Sequence, residues 1–265
     1  MEILAYFASA LIGISLGLIG GGGSILTVPV MVYLFGINPL MATSYSLFIV
    51  GSTSLVGAYQ NWRNKLVNIK TALLFGLSSI TTVFLIRKFF IPLIPAHLFS
   101  ISGFAVSSNM LTMILFALLM VVASFSMISE KKAITLGHAV PSGNTLKLLI
   151  YGIGIGIATG LLGAGGGFLL IPTLVILLGL PMKEAVGTSL LIIALNSLVG
   201  FTGDLGHFKI DWLFLLKVSS IAIAGLFLGV FLNTKIDGEK LKKGFGWFVF
   251  IMGSYIILKE LILNP

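Results

Sequence analysis

The stretch GLIGGGGSILTVP, Gly17 to Pro29, places four consecutive glycines inside an otherwise apolar segment. Glycine is a poor helix former because ordering its backbone costs more conformational entropy than ordering that of any other residue. Adjacent glycines also point in different directions around a helix, so they cannot all serve one packing face. The stretch therefore predicts an interruption of a helix.

The composition around it is that of an integral membrane protein. Hydrophobic residues make up 57% of the 265 residues and charged residues only 9%, against roughly 25% charged in soluble domains. Long apolar runs recur at residues 3–19, 42–60, 70–86, 109–128, 148–162, 185–202, 212–232 and 244–258, and most approach the roughly 17 to 25 residues of a membrane-spanning helix. Two shorter runs, 24–36 and 168–180, directly follow glycine clusters. We predict an all-α, multi-pass protein of the cytoplasmic (plasma) membrane with short or broken helices after the glycines.

The opening stretch returns as GLLGAGGGFLLIP, Gly160 to Pro172, at an offset of 143 residues. The same offset aligns SLVG at Ser54–Gly57 with SLVG at Ser197–Gly200. We therefore predict two homologous transmembrane repeats, residues 1–128 and 147–265, joined by a connecting loop at 129–146. Internal duplication of this kind is typical of transporter folds.

Loop charges indicate how the repeats are oriented. The loop at 61–70 carries three basic residues and no acid, whereas its counterpart in the second half carries one lysine and two aspartates. If the short runs count as spans, each half has about five segments and the second half is inverted. The basic loops 61–70, 129–147 and 235–243 then share one side of the membrane, as the positive-inside rule requires, although Arg87 and Lys88 do not fit. The alternative is a four-plus-four arrangement with re-entrant glycine hairpins.

The glycine clusters predict an anion site. A broken backbone at membrane depth is tolerated only where protein or water satisfies its polar groups, and the helix that follows each break directs free N–H groups and a positive dipole end toward it. Ser24 is expected to cap the first of these helices. The predicted substrate-binding backbone is Gly20, Gly21, Gly22 and Gly23 in the first cluster and Gly163, Gly165, Gly166 and Gly167 in the second. By contrast, the pairs with small-xxx-small spacing predict close helix packing: Gly13 with Gly17, Gly152 with Gly156 and Gly160, and Gly225 with Gly229.

Polar side chains within the spans are further candidate ligands because they are costly there. The predicted substrate-binding side chains are Ser24, Thr43, Ser44, Ser46, Thr188, Ser189 and Asn196. The alternatives are helix caps for the hydroxyls and an interhelical hydrogen bond for the asparagine. Asp204, His207 and Lys217 are the candidates for proton coupling or for charge. Their alternatives are a solvated loop for the first two and snorkelling to the headgroups for Lys217.

These motifs together resemble the sulfite exporter TauE/SafE family of membrane transporters, also called TSUP. The resemblance rests on GLIGGGGSILTVPVMVYLFG and MATSYSLF in the first half, and on GLLGAGGGFLLIPTLVILLGLPMKEAVGTSLL and GFTGDLGHFKIDW in the second. It implies transport of a small sulfur-containing anion, such as sulfite, thiosulfate or an organosulfonate, without ATP hydrolysis by this chain. The second half matches the pattern more closely, with AVGTS where the first has ATSYS.

The leading functional hypothesis is a secondary transporter that holds its anion at the paired helix ends near the midplane. A passive anion channel is the first alternative and a membrane-embedded enzyme the second. Enzyme activity is not expected, because His97, His138 and His207 are scattered rather than clustered. No cofactor or metal is expected, and the predicted partners are the anion, membrane lipid and a coupled proton or other ion. The net charge of +8 indicates loop topology rather than nucleic-acid binding.

Overall fold

A computed structural model describes residues 2–95, 97–101, 104–128, 145–207, 209–233 and 238–263. These residues are mainly helical, which confirms the predicted all-α membrane fold. The α-helices are α1 (Glu2–Ile19), α2 (Thr27–Tyr33), α3 (Pro39–Arg63), α4 (Ile69–Leu85), α5 (Ser108–Ile128), α6 (Thr145–Leu162), α7 (Gly167–Leu178), α8 (Met182–Asp204), α9 (Trp212–Asn233) and α10 (Gly238–Leu258). Residues 129–144 of the predicted connecting loop lie outside the described residues, and its last two residues begin α6.

Shorter elements connect these helices. A 3₁₀ helix, Gly20–Leu26, joins α1 to α2, and a π-helical turn, Ile86–Phe90, extends α4. After a second 3₁₀ turn, Ile91–Leu93, strands β1 (His97–Ile101) and β2 (Phe104–Ser107) pair antiparallel. A final π-helical turn, Lys259–Leu263, follows α10. The hairpin is the one strand pair in the described ranges. The apolar pattern of the sequence did not predict these strands.

Six of the described helices are long and apolar enough to cross a membrane, and they begin at Pro39, Ile69, Ser108, Met182, Trp212 and Lys243. Three further apolar helices, Leu4–Ile19, Gly23–Tyr33 and Leu148–Leu162, are shorter. Large apolar side chains such as Phe7, Leu77 and Leu213 are exposed, which suits surfaces that face lipid. The polypeptide is therefore a multi-pass integral membrane protein.

Glycines provide the closest contacts between helices, as their spacing predicts. A side chain at Gly13 or Gly17 would overlap the α9 backbone, and one at Gly225 or Gly229 would overlap the α1 backbone. Three glycines of α6 pack closely on α4 and on the π-helical turn that extends it: Gly152 at Ser78, Gly156 at Thr82 and Gly160 at Ile86. The prediction that these glycines serve close packing is confirmed. Each half thus contributes its first helix to a pair with the fourth α-helix of the other half.

The registers of these contacts give the directions of the helices. Residue numbers rise together between α1 and α9, where Gly13 meets Ala222 and Gly17 meets Leu226, so these helices run parallel. Between α3 and α8 the numbers run oppositely, since Gly51 meets Leu198 and Gly57 meets Leu190. These equivalent helices of the two halves are therefore antiparallel.

The same reasoning places α3 parallel to α9, because Tyr45 stacks near Phe214 and Gly57 lies against Leu226. Helices α1 and α3 consequently run in the same direction. The segment between them, from the 3₁₀ helix through α2, must cross back. This geometry favours five segments in the first half over a re-entrant hairpin, and the inverted repeat stays a prediction that the directions favour.

Candidate functional site

The second glycine cluster forms a left-handed loop that opens α7. Gly163, Gly165 and Gly166 have φ of +68°, +67° and +69°, a region that side-chain-bearing residues rarely adopt. Gly166 is the N-cap of α7, which begins at Gly167. The predicted interruption is therefore confirmed in the second half, and the N-terminus of a 12-residue helix starts at it.

The first cluster adopts a different structure. Gly20 has φ of +73°, and the chain from Gly20 to Leu26, which includes Gly22, forms the 3₁₀ helix. No side chain caps that helix or α2, so the predicted cap by Ser24 is wrong. The Ser24 hydroxyl instead donates to the Gly21 carbonyl at 2.8 Å. Serine bonds backward to the preceding turn in this way when it lies inside a helix rather than before one.

The two clusters meet in direct backbone contact. A side chain on Gly21 would overlap the backbone of Gly167, and one on Gly167 would overlap Gly21. Gly163 lies against the Thr43 backbone of α3, and Gly165 lies between Val50 of α3 and Ile193 of α8. Gly23 instead packs on Ser15 and Leu16 of α1. The structure thus brings the glycines of both halves together beside α3 and α8, and we call this place the crossing.

Two buried hydroxyls flank the loop at the crossing. Ser197 of α8 lies beside Gly165, and Thr159 of α6 lies beside Gly166. Neither hydroxyl has a hydrogen-bond partner among the described residues. Neither residue is among the ligands predicted from the sequence, although Ser197 belongs to the repeated SLVG motif. Its counterpart Ser54 is likewise buried and without a partner in the described ranges.

The hydroxyls predicted in the first half lie on α3. Thr43, Ser44 and Ser46 are all buried. The Thr43 hydroxyl donates to the Leu40 carbonyl at 2.7 Å, whereas the N-cap of α3 is Asn38, whose side chain accepts from the Leu40 N–H. The capping alternative is therefore wrong for these three residues.

Those predicted in the second half contribute to packing around α8. Thr188 accepts from the Asn68 N–H at 2.9 Å, just before α4 begins, and the Ser189 hydroxyl donates to the Val186 carbonyl. Asn196 donates to the Ser79 hydroxyl of α4 at 2.6 Å. The interhelical alternative for Asn196 is thus confirmed. No side chain caps α8, so the capping alternative is wrong here too.

A buried ion pair is the main feature that the sequence pattern did not reveal. Asp204 and Arg87 are both 0% exposed, and the Arg87 Nη1 lies 3.2 Å from the Asp204 Oδ2. The solvated-loop alternative is therefore wrong for Asp204, while His207 is exposed. Arg87 stands near the end of an apolar run where the matching position is Val230, and that unmatched charge is the signal that was available. Because Arg87 is buried between helices and does not lie in a loop, the positive-inside rule does not apply to it.

The structure does not bring Lys217 to the crossing. Its side chain is exposed on α9 and lines a surface groove with Tyr6 of α1 and Leu213, as expected of a lysine that snorkels to the headgroups. Within the described ranges, no three His, Asp or Glu side chains lie close enough together to hold a metal ion. The polar groups at the crossing are hydroxyls and backbone amides, whose O–H and N–H groups are able to donate hydrogen bonds to an anion.

Comparisons with known proteins agree with this architecture. The family model described as sulfite exporter TauE/SafE matches residues 5–256. The chain is 29% identical to a probable membrane transporter protein of Xylella fastidiosa (strain 9a5c), over 97% of this chain and 95% of that protein. It is also 28% identical to the probable membrane transporter protein YdhB of Bacillus subtilis, over 83% and 85%. A third relative, the probable membrane transporter protein MJ0441 of Methanocaldococcus jannaschii, is 25% identical over 94% and 92%. No solved structure matches.

Proposed function

The chain belongs to the sulfite exporter TauE/SafE family of membrane transporters, and from that premise we propose that it is a secondary transporter of a small sulfur-containing anion. Sulfite, thiosulfate and organosulfonates are the proposed substrates, carried across the cytoplasmic membrane. The observation that supports this proposal most directly is the crossing, where the glycine breaks of both halves meet beside α3 and α8.

The chemistry of the crossing suits an anion. The N-terminus of α7 provides the positive end of a helix dipole and the backbone N–H groups of its first turn. Ser197 and Thr159 add hydroxyl donors that are buried and unpaired within the described residues. Among the described residues, the atoms nearest to the glycines of the crossing include none from an acidic side chain. Asp204 is paired with Arg87.

In this proposal the two halves form an inverted repeat. Antiparallel packing of α3 on α8 supports it, and so does that of α5 on α10, where Gly246 lies against Met127 and Gly253 against Met120. Equivalent helices would run parallel if the repeat axis lay along the membrane normal. Inverted repeats place their substrate site near the midplane, between the halves.

The packing also indicates which parts move. Helix α1 is held to α9 and α6 to α4 by glycine-mediated backbone contacts, so each sequence half is interlocked with the other. This packing favours moving units that each combine helices of both halves over a rocking of one sequence half against the other. In our proposal the α1–α9 pair and the α4–α6 pair tilt about the antiparallel α3–α8 pair, which contacts the crossing from both sides.

Counterflow in proteoliposomes tests the proposal. Vesicles loaded with unlabelled thiosulfate or sulfite should transiently accumulate the radiolabelled anion above its equilibrium level, because a carrier exchanges one anion for another. Ser197→Ala should raise KM about tenfold, the effect of losing one hydrogen bond to a charged group. Ser219→Ala on α9 is the matched control, since it removes another buried hydroxyl without a described partner.

Equilibration without an overshoot would indicate a channel and overturn the carrier mechanism. Absence of uptake for every sulfur anion, from protein shown to be folded, would overturn the substrate class. Equal effects of the two serine variants would remove the crossing as the binding site.

A further inference from the structure

Arg87, in the π-helical turn after α4, pairs with Asp204 at the end of α8 through only one of its three guanidinium nitrogens. The Arg87 Nη1 donates to the Asp204 Oδ2 at 3.2 Å and to the Thr43 hydroxyl at 3.0 Å. Arg87 Nε and Nη2 have no hydrogen-bond partner within the part of the chain that the structure describes. The side chain is nevertheless completely buried. Buried N–H groups of a cation are costly when they are left unpaired.

These two nitrogens form one side of the guanidinium plane. Their N–H bonds point in nearly the same direction, and this fork matches two oxygens of a carboxylate, phosphate or similar oxyanion. Sulfite, thiosulfate and sulfonates carry such pairs of oxygens. The unpaired side of Arg87 therefore has the shape and charge that the proposed substrate class requires.

We propose that Arg87 binds the transported oxyanion through Nε and Nη2, while Asp204 stays on Nη1 as its fixed counter-ion. This inference rests on the proposed function and adds to it a binding residue that the glycine motifs do not contain. Thr43 is a positioning residue, because its hydroxyl accepts from Nη1 and orients the guanidinium without reaching the anion side.

Two glycines of α8 leave space for the side chain of Arg87. A Cβ at Gly203 would lie 3.0 Å from the Arg87 Cβ, and one at Gly200 would lie 3.9 Å from its Cγ. The stem of Arg87 therefore runs along a groove that these two glycines leave open. Each residue of the pair has an uncharged counterpart in the opposite half, since the position matched to Arg87 is Val230 and the position matched to Asp204 is Asn61. The site is thus single, although the fold is duplicated.

The position of Arg87 gives the anion a route. Asp204 ends α8, and the chain continues through the exposed residues Leu205, Gly206 and His207. Because α3 and α8 are antiparallel, this end lies opposite the basic loop 61–70, on the side predicted to be non-cytoplasmic. Along α3, Thr43 lies beside both Arg87 and Gly163. Val50, which lies beside Gly165, follows about two turns later. An anion that enters at Arg87 is therefore directed toward the hydroxyls of the crossing.

Asp204 sets how strongly the anion is held. Its carboxylate neutralises the guanidinium, so a bound anion meets a pair of zero net charge and is released readily. A bare buried arginine would hold the anion too tightly for turnover. Asp204→Asn should therefore tighten binding and slow exchange, whereas a purely structural ion pair would give no such change in affinity.

The experiment measures thiosulfate affinity by the thermal shift of purified protein and KM by counterflow. Variants are Arg87→Lys, Asp204→Asn and the charge-neutral double variant Arg87→Gln/Asp204→Asn, which leaves no unpaired buried charge. Lys88→Gln is the matched control, since Lys88 is the adjacent exposed cation and rests over the Phe84 ring. We expect Arg87→Lys to weaken thiosulfate about 10- to 100-fold, the effect of losing hydrogen bonds to a charged group. The double variant should lose binding, and Lys88→Gln should match the wild type.

The outcomes separate this inference from the proposed function. If the wild type shows counterflow and Arg87→Lys has the same KM, the proposed role of Arg87 is overturned and transport is not. Unchanged thiosulfate binding by a folded double variant would have the same meaning. A thiosulfate shift that depends on Arg87, without wild-type counterflow, would support the site and overturn transport. Neither binding nor counterflow in the wild type would overturn both. Weaker binding by Asp204→Asn would overturn the counter-ion role.

Discussion

The two glycine clusters have nearly the same sequence and different backbones. The first continues α1 through the 3₁₀ helix Gly20–Leu26 into a seven-residue α2. The second turns through left-handed glycines and opens a 12-residue α7. Of the two helices that follow the clusters, only α7 is longer than two turns. Its N-terminus is the one that we propose as part of the anion site.

The difference follows from what each cluster packs against. At the crossing, Gly21 and Gly167 touch through their backbones, whereas their counterparts in the repeat are Ala164 and Ser24, which carry side chains. In a symmetric arrangement the equivalent contact would join Ala164 to Ser24, and their Cβ atoms would overlap at such a close approach. The contact is possible because each half supplies a glycine at a different position in its motif.

Gly167→Leu tests that contact and should have the largest effect. A side chain there would meet the Gly21 carbonyl and Cα, which belong to the backbone and cannot rotate away, so we expect a loss above about 4 kcal/mol and no folded protein. Size-exclusion chromatography in detergent would measure this. Gly244→Ala, where no atom lies within 4 Å of the added Cβ, is the control and should elute as the wild type. A monodisperse Gly167→Leu protein would contradict the contact.

Gly163→Ala and Gly20→Ala compare the two clusters at matched positions. Both residues have positive φ, so each alanine should cost about 1 to 2 kcal/mol of strain. At Gly163 the new Cβ meets the Thr43 carbonyl oxygen, while at Gly20 it meets a methyl group of Val186, which can shift. We expect Gly163→Ala to lose about 1 to 3 kcal/mol more, as overpacking does, measured by SDS titration.

Gly36→Ala isolates the strain in that comparison. Gly36 has φ of +68°, and no atom lies within 4 Å of a Cβ built there. The decrease in the free energy of unfolding of Gly36→Ala should therefore equal the cost of backbone strain alone. If Gly20→Ala proves more damaging than Gly163→Ala, the two clusters do not differ in the way that their contacts indicate.

Asn196→Ala should have the smallest effect. It removes the hydrogen bond from α8 to Ser79 of α4, and such bonds in membranes contribute about 0.6 kcal/mol. The matched Thr53 bonds to Ile49 within its own helix, so Thr53→Ala should change the free energy of unfolding less. Melting temperatures in detergent would compare them. If Thr53→Ala lowers the melting temperature more than Asn196→Ala does, the hydrogen bond between α8 and α4 does not stabilise the protein as proposed.

Local patterns predicted much of this molecule and little of its polar contacts. Apolar runs and glycine propensity depend on neighbouring residues alone, which is why the membrane class, the helix-packing glycines and the helix interruption at each glycine cluster were predicted correctly. The Ser24 cap and the solvated Asp204 were wrong, because the sequence does not reveal which face of a neighbouring helix each side chain meets. Ser197 was overlooked for the same reason, although its motif is repeated.

The sequence by itself determined a duplicated membrane protein of the TauE/SafE family, since hydropathy, the repeat offset and the glycine motifs are all written along the chain. The tertiary structure decided which glycines meet, and it brought Arg87 to Asp204 across 117 residues. A buried charge must find its partner in three dimensions, because hydrocarbon solvates neither ion. That pairing depends on the register between α4 and α8, which no local pattern encodes.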